Sequence, residues 1–386
     1  MKRIIFLLGL SLLSFAAYTQ ITAGAAQLHK YLPLLQGKRV GITANHTSLI
    51  DDKHVADVLL HQGVDVVRIY APEHGFRGKA DAGAPLPSAK DEATGLDIIS
   101  LYGKNYKPTS EQLQGIDCMV FDMQDVGLRF FTYLSTLHYV MEACAEQGIQ
   151  VIVLDRPNPN GYYVDGPLLE PEHRSFVGIH PVPVVHGMTL GELAGMINGE
   201  RWLKNGVQCS LTVIPCDGYT HRSHYELPVK PSPNLPNMQA VYLYASLCFF
   251  EGTAVSLGRG TPFPFQAFGH PAFKDIYSFS FVPEAVEGAM NPPLKDQQCY
   301  GMDLRSFPQA QLLHEGRIRL EWLLNAYRHF KPKDKFFLPY FSKLWGTARI
   351  QQMMEQGATE AEISASWAAD VAAFKTRRAK YLLYGE

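Results

Sequence analysis

The sequence predicts an α/β protein: a Rossmann-like parallel sheet domain followed by a smaller α+β auxiliary domain. Up to about residue 231, short apolar segments alternate with segments whose apolar residues recur at helical spacing, a pattern typical of a parallel sheet covered by helices. Beyond that point the alternation stops, and Gly, Pro, Thr and Phe become frequent. The composition, 46% hydrophobic and 19% charged, is that of a packed globular protein. We therefore place the domains at residues 21–235 and 236–386.

Residues 1–20 are predicted to be a secretory signal peptide. Lys2 and Arg3 precede an apolar run at 4–15, and the small residues Ala16 and Ala17 follow. The apolar run is shorter than the ~20 residues that cross a bilayer, so we expect no stable membrane insertion after signal cleavage. An exported, periplasmic protein is predicted. The net charge of −2, without a basic run, indicates no nucleic-acid partner.

The first domain is predicted to contain six strands separated by helices. Its helices are expected at 54–62, 109–113, 130–147 and 189–203, the last beginning with a capping box of Thr189 and Glu192. The first strand is not followed by G-x-G-x-x-G, and no phosphate-binding loop sequence occurs, so no cofactor is predicted. The predicted strands are 38–45, 64–70, 96–102, 116–122, 150–155 and 211–214.

The remaining segments are a loop and the auxiliary domain. Residues 79–95 lack periodicity, and we interpret them as a lid or wall beside Glu73. In the auxiliary domain, short strands are expected at 278–281 and 299–304. Its helices are expected at 240–250, 317–330, 349–356 and 361–381.

Ionisable and polar side chains follow the carboxyl ends of five successive predicted strands. Because these ends share one rim of a parallel sheet, where open α/β sheets bind ligands, the side chains are candidates for one site. A lone acid at a strand end is commonly a helix cap or a loop brace, but five such ends in succession favour a function. The candidates are Asn45, His46, Glu73, His74, Arg77, Tyr102, Asp122, Asp125, Arg129, Asp155, Arg156 and Asn158.

This set of residues suits hydrolysis by paired carboxyl groups. Glycosidases use two such groups on either side of the scissile bond, and arginines bind anionic substrate groups in bidentate fashion. A metal-dependent hydrolase is the competing interpretation, since Asp122, Asp125, Glu73 and His74 could together hold a divalent ion. The sequence has no H-E-x-x-H and no G-x-S-x-G nucleophile elbow.

The chain resembles the bacterial exo-β-N-acetylmuramidase family, known as NamZ-like and formerly a domain of unknown function. The resemblance covers nearly all of the chain after the signal peptide, in order. It is carried by APEHGFRG at 71–78, DMQDVGLRFFTY at 122–133, DRPNP at 155–159, DGP at 165–167, HGMTLGE at 186–192, PSPNLPN at 231–237, FEGT at 250–253 and SLGRGT at 256–261.

This resemblance implies that the first domain is catalytic, with an active site in the cleft between the two domains. It implies release of N-acetylmuramic acid from the non-reducing end of peptidoglycan fragments, with Glu73 as the general acid. The second catalytic group stays open among Asp122, Asp125, Glu251 and the substrate's own acetamido group. Arg77, Arg129 and Arg259 are candidates for the lactyl carboxylate. Candidates for other substrate contacts are Asn45, His74, Tyr133, Asp155, Arg156, Asn158 and Asn234.

Structural alternatives accompany these assignments: Asp155 as a brace for Arg156, and Asn234 as a turn former. Two other functions also remain open at this point. One is a non-catalytic cell-wall sugar-binding protein, which would need the arginines and aromatic residues but no acid. The other is a metal-dependent hydrolase of cell-wall amide or ester bonds.

Overall fold

The computed structural model describes residues 20–77 and 89–386, and its centre is a seven-stranded sheet. The predicted signal peptide and most of the predicted lid lie outside the described residues. The strands of the sheet are β1 (Arg39–Ala44), β4 (Asp65–Ala71), β5 (Ala89–Lys90), β6 (Asp97–Ser100), β7 (Cys118–Asp122), β8 (Gln150–Leu154) and β9 (Leu211–Ile214); a separate hairpin is formed by β2 (Leu49–Ile50) and β3 (Lys53–His54).

The strand order of the sheet is that of a Rossmann domain. It runs β5-β6-β4-β1-β7-β8-β9, with β5 antiparallel at the edge and the other six strands parallel. Counting those six in chain order gives 3-2-1-4-5-6, so the order reverses between β1 and β7. The predicted fold class is confirmed. The topology predicts a ligand-binding site in the crevice beside the carboxyl end of β1.

Helices cover both faces of the sheet. The first half contributes α1 (Leu28–Leu35), α2 (Val55–His61), α3 (Ser110–Leu113), α4 (Tyr133–Glu146) and α5 (Leu190–Gly199). Along β7 the side chains alternate between two hydrophobic clusters: Cys118 and Val120 pack with residues of α1 and α2, while Met119 and Phe121 pack with residues of α4 and α5. Burial on both faces explains why these strands are continuously apolar.

The second half is helical with a three-stranded antiparallel sheet in the order β10-β12-β11. Its strands are β10 (Ala267–His270), β11 (Phe279–Phe281) and β12 (Cys299–Asp303); its helices are α6 (Met238–Leu247), α7 (Gln309–Glu315), α8 (Glu321–His329), α9 (Phe341–Trp345), α10 (Arg349–Glu355), α11 (Glu360–Ala365) and α12 (Ala368–Arg378).

The two halves share one hydrophobic cluster. The cluster that contains Leu134 and Leu137 of α4 also contains Phe249 and Trp345. The rings of Phe249 and Trp345 stack with centroids 3.5 Å apart. No polar layer therefore separates the sheet domain from the second half within the described residues.

The predicted elements differ from the observed ones mainly at their ends. The capping box of Thr189 and Glu192 is present, but α5 ends at Gly199 rather than at residue 203. The helix predicted for 240–250 ends as an α-helix at Leu247 and continues as a 3₁₀ turn, Cys248–Gly252. Prediction missed the short elements α1, α7, α9, β5 and β10, because their few residues carry little periodic signal. Among residues 20–77 and 89–386, no helix is long and apolar enough to cross a bilayer.

Candidate active site

A cavity of about 370 Å³ lies at the carboxyl end of the parallel sheet. One wall comes from the loop after β4, which carries Glu73 and His74, and from residues 130–133, which connect β7 to α4. These two loops stand on either side of β1, since β4 and β7 are the neighbours of β1 in the sheet. The cavity therefore occupies the place where a Rossmann sheet ordinarily binds its ligand.

The loop that carries Glu73 has a constrained backbone. The Gly75 amide donates to the Pro72 carbonyl at 3.0 Å, which closes a tight turn. Within this turn His74 has φ of 68° and Gly75 has φ of 76°. A side-chain-bearing residue rarely adopts positive φ, and such conformations concentrate at functional sites.

Two hydroxyl groups hold the Glu73 side chain, which is 9% exposed. The Thr132 Oγ1 donates to Glu73 Oε2 at 2.7 Å, and the Tyr102 hydroxyl also hydrogen-bonds the Glu73 carboxylate. Burial and the neighbouring Glu73 charge together raise the pKa of Tyr102 above its ordinary value. Tyr102 therefore stays a neutral donor, and Glu73 is held in a fixed orientation.

The opposite wall carries an ion pair from the second half of the chain. The 3₁₀ turn after α6 places Glu251 at the cavity, where its Oε1 accepts from Arg259 Nε at 2.7 Å and contacts Arg259 Nη2 at 2.6 Å. Arg259 also lies over the Phe265 ring, with 4.9 Å between its Cζ and the ring centroid. Burial acts to lower the pKa of Arg259, but the adjacent Glu251 carboxylate raises it overall.

The rest of the lining is largely aromatic and aliphatic, with hydroxyl groups among the apolar side chains. A cavity with few charged groups on apolar walls suits a small ligand that has both polar and apolar faces. These residues are Phe130, Phe131, Tyr133, Val177, Ser232, Leu235, Tyr244, Cys248, Phe250, Thr253, Val255, Leu257, Phe265, Pro293, Leu338, Tyr340 and Leu344.

Tyr340 also lines the cavity, and the sequence interpretation missed it. The residue is 40% exposed at the rim. Burial of its hydroxyl group raises the pKa of Tyr340, and the charges of Glu251 and Glu73 contribute to the same shift. The hydroxyl therefore lies within electrostatic reach of both acids.

Of the predicted site residues, six line this cavity: Glu73, His74, Tyr102, Tyr133, Glu251 and Arg259. Tyr133 is nearly buried, and its hydroxyl donates to the Pro231 carbonyl at 3.2 Å. The other predicted residues lie outside the cavity lining; His46 is one of them, and its Nε2 lies 2.9 Å from the Lys230 carbonyl oxygen.

Asp122 and Arg156 pair with each other inside the protein. Arg156 Nε lies 2.5 Å from Asp122 Oδ1, and Arg156 Nη2 lies 2.9 Å from Asp122 Oδ2. Asp122 is fully buried. Burial acts to lower the pKa of Arg156, and the Asp122 charge more than offsets that effect.

Asp125 lies in a closed environment formed by its own loop. Its Oδ1 accepts from the Gly127 amide at 2.7 Å, and burial raises the pKa of this carboxyl to about 7. Gly127 has φ of 81° and packs directly against Asn158. The amide of Asn158 in turn donates to the Met188 carbonyl at 2.9 Å.

Arg129 and Arg77 have partners elsewhere in the fold. Arg129 is 1% exposed and donates to four backbone carbonyls: those of Pro167 and Val182 at 2.8 Å each, and those of Leu344 and Trp345 at the end of α9 at 3.2 and 2.7 Å. Burial lowers the pKa of Arg129 to about 9.

Arg77 makes a bidentate pair with Asp91, with Nη2 at 2.7 and 2.9 Å from the two carboxylate oxygens.

Asp155, Asn45 and Asn234 stabilise loops. Asp155 accepts from the Thr189 and Tyr384 hydroxyls at 2.6 and 2.5 Å, so its partners are these groups rather than Arg156. Asn45 is fully buried and accepts from the Thr47 amide and hydroxyl. The Asn234 backbone amide donates to Ser232 Oγ and its side-chain amide donates to the Gly288 carbonyl, the geometry expected of a turn former.

Metal-ligating side chains come together away from the cavity. Within residues 20–77 and 89–386, the group of acidic and His side chains close enough to share an ion is Glu170, Glu172 and His173, at the surface. The set considered from the sequence, Asp122, Asp125, Glu73 and His74, is not such a group among those residues.

Comparison with known proteins gives consistent matches along the chain. Residues 40–239 match the family model described as exo-β-N-acetylmuramidase NamZ, N-terminal, and residues 242–384 match its C-terminal counterpart. The peptidoglycan β-N-acetylmuramidase NamZ of Bacillus subtilis is 36% identical over 378 residues, covering 92% of this chain and 89% of that protein.

Two crystal structures share the fold, and both are DUF1343 family proteins from Bacteroides fragilis. The first is 46% identical, with a TM-score of 0.89, and the match covers 95% of this chain and 100% of that one. The second is 29% identical, with a TM-score of 0.78, and the match covers 94% and 99% of the two chains.

Proposed function

This chain belongs to the exo-β-N-acetylmuramidase NamZ family, and on that premise we propose that it is a glycoside hydrolase that releases N-acetylmuramic acid from the non-reducing end of peptidoglycan fragments. The observation that carries the proposal is that Glu73 and the Glu251–Arg259 pair line one cavity at the carboxyl end of the sheet. We further propose that residues 1–20 direct export and that the enzyme acts in the periplasm, where such fragments are formed.

Glu73 is the proposed general acid. Hydrolysis begins with a proton passing to the glycosidic oxygen as the bond to the anomeric carbon breaks. The hydroxyls of Thr132 and Tyr102 hold the Glu73 side chain, so the acid need not be ordered when the substrate arrives. The strained turn at His74 fixes its backbone as well.

Glu251 is the proposed second carboxylate. As the leaving oxygen departs, positive charge develops at the anomeric carbon and ring oxygen, and a carboxylate across the cavity stabilises it. Among the alternatives, Asp122 is buried in its pair with Arg156, and Asp125 is enclosed by its own loop. Glu251 is the member of this group that lines the same cavity as Glu73.

Arg259 is the proposed partner of the lactyl carboxylate, the group that distinguishes N-acetylmuramic acid from N-acetylglucosamine. Of the three arginine candidates, Arg77 is paired with Asp91 and Arg129 with backbone carbonyls, whereas Arg259 lines the cavity. A guanidinium has five N–H donors, so it can contact Glu251 and a ligand carboxylate together. This arrangement links the sugar's distinguishing group to the second carboxylate.

The test is release of N-acetylmuramic acid from its β-linked disaccharide with N-acetylglucosamine. Wild-type protein should release the free sugar with and without EDTA, and Glu73→Gln should be at least about a hundredfold slower. Glu172→Gln is the matched control, because Glu172 is exposed and belongs to the surface group that could hold an ion.

Three results would contradict parts of the proposal. Binding of the disaccharide without release by wild-type protein would favour the non-catalytic sugar-binding function. Loss of activity with EDTA, restored by a divalent ion, would favour the metal-dependent hydrolase. Full activity of Glu73→Gln would retain the reaction but remove Glu73 from it.

A further inference from the structure

A group of half-buried aromatic side chains continues outward from the cavity. We name it the Phe176 patch and define it as Tyr102, Tyr106, Tyr139 and Phe176. The Tyr106 and Phe176 rings stack with centroids 4.1 Å apart, and Tyr102 meets both rings edge-on at 5.8 and 5.7 Å. Tyr139 lies parallel to Phe176 at 6.4 Å. All four side chains are partly accessible, so the patch faces solvent.

The patch is continuous with the proposed active site at Glu73. Tyr102 belongs to both, because its hydroxyl bonds the Glu73 carboxylate while its ring contacts Tyr106 and Phe176. Val177, the neighbour of Phe176 in sequence, lines the cavity as well. The patch therefore begins at the proposed acid and leads away from it.

We propose that the Phe176 patch binds the sugars on the leaving-group side of the cleaved bond, and that the enzyme consequently prefers glycan fragments longer than a disaccharide. This inference rests on the proposed function. With the terminal sugar held at Arg259, the leaving oxygen lies at Glu73, and the rest of the glycan passes Tyr102.

The chemistry of the patch fits this occupant. The axial C–H bonds of a pyranose ring form an apolar face that packs on an aromatic ring, while its hydroxyls stay in water. Beyond the stacked rings, the charges of Glu142, of exposed Arg174 and of Lys107 reach the Tyr139 hydroxyl, and Lys107 is paired with Glu142 and Glu146. A glycan that extends this far would bring the carboxylate of its next N-acetylmuramic acid towards Arg174.

The test compares a tetrasaccharide of two repeats with 4-nitrophenyl β-N-acetylmuramide, which has no sugar on the leaving side. In Phe176→Ala and Tyr106→Ala, the ratio of kcat/KM for the tetrasaccharide to that for the nitrophenyl substrate should fall about tenfold. Phe279→Ala is the control, since Phe279 is a half-buried ring packed on Phe281 in the three-stranded sheet and is not among the residues that line the cavity, so its ratio should match wild type. An unchanged ratio in both patch variants would overturn the proposal.

A binding measurement separates this proposal from the reaction itself. In the Glu73→Gln background, the dissociation constant of the trisaccharide product, which begins with N-acetylglucosamine, should rise about tenfold on adding Phe176→Ala. If wild-type protein cleaves neither substrate, the proposed function fails, yet this difference in affinity would still establish the patch as a sugar site. Equal affinity of Glu73→Gln and of the double variant for the trisaccharide would exclude the patch as a sugar site, even if the enzyme is active.

Discussion

Two parts of the carboxyl-end edge of the central sheet differ in how far they are covered by other residues. The loops after β4 and β7 open onto a cavity, whereas the end of β8 is covered by residues near the end of the chain. There Tyr384 donates to Asp155, and the Leu383 amide donates to Glu192 Oε1 at 2.8 Å. Glu192 also contacts His221 Nε2 at 3.1 Å. Both parts carry several acidic side chains, so a high density of acids at strand ends does not by itself locate an active site. The active site is indicated by the cavity next to the acids.

The largest effect is expected on the open side. Glu251→Gln should lower kcat about a thousandfold, a barrier increase of about 4 kcal/mol, because the variant loses the negative charge opposite the forming oxocarbenium ion. The melting temperature should stay close to wild type, since Glu251 is partly exposed and its ion pair is at the cavity. Steady-state kinetics and thermal unfolding check this; a kcat within tenfold of wild type would exclude Glu251 as the second group.

On the covered side, Asp155→Ala should act on stability instead. The change leaves the Thr189 and Tyr384 hydroxyls and the Gly191 amide without their buried acceptor, which costs about 3 kcal/mol of unfolding free energy. Urea unfolding measures the loss, and Tyr384→Phe should show roughly a third of it. A large fall in kcat per folded molecule, with unchanged stability, would show that Asp155 belongs to the reaction.

Asp125 is expected to make a pH-dependent contribution to the free energy of unfolding. Its folded pKa is raised to about 7 by burial, above the ~3.9 of an unfolded aspartate. The folded state therefore binds the proton more tightly, so the contribution is fully present below about pH 4 and is lost as pH rises through 7. Relative to Asp125→Asn, wild type should lose about 3 kcal/mol of unfolding free energy between pH 4 and 7, measured by urea unfolding. A constant difference across this range would contradict the shift.

The smallest effect concerns substrate choice. Arg259→Gln should raise KM for the N-acetylmuramic acid disaccharide about tenfold, because it removes the charge proposed to meet the lactyl carboxylate. Turnover of N,N′-diacetylchitobiose, which lacks that carboxylate, should not fall in parallel. Arg129→Gln is the comparison variant. Because the partners of Arg129 are backbone carbonyls, we expect this change to lower the stability and to leave the preference between the two disaccharides unchanged. An equal loss on both sugars in Arg259→Gln would argue against carboxylate recognition.

Much of the fold follows from local sequence. Met119 and Phe121 alternate with Cys118 and Val120 between two hydrophobic clusters, because both faces of β7 are buried. The resulting run of apolar residues predicts the strand from local sequence. The capping box at Thr189 likewise depends on residues three apart. Short elements such as α9 (Phe341–Trp345) lack such signals, since five residues are little more than one helical turn.

The site was less accessible from sequence. Family motifs brought Glu73, Glu251 and Arg259 into consideration, but they did not separate Arg259 from Arg129. The difference depends on partners distant in sequence: Arg129 bonds Leu344, 215 residues away. Tyr340 and Phe176 were missed because single aromatic residues on irregular loops have no periodic or motif context.

The hydrophobic cluster that joins Leu134 of α4 to Trp345 of α9 has a consequence for how the enzyme meets its substrate. A cleft whose two walls rest on a common core cannot open by a hinge without exposing that core to water. We therefore expect a catalyst whose two walls keep a fixed spacing as the glycan enters. Selectivity for chain termini would then be a property of a stiff scaffold.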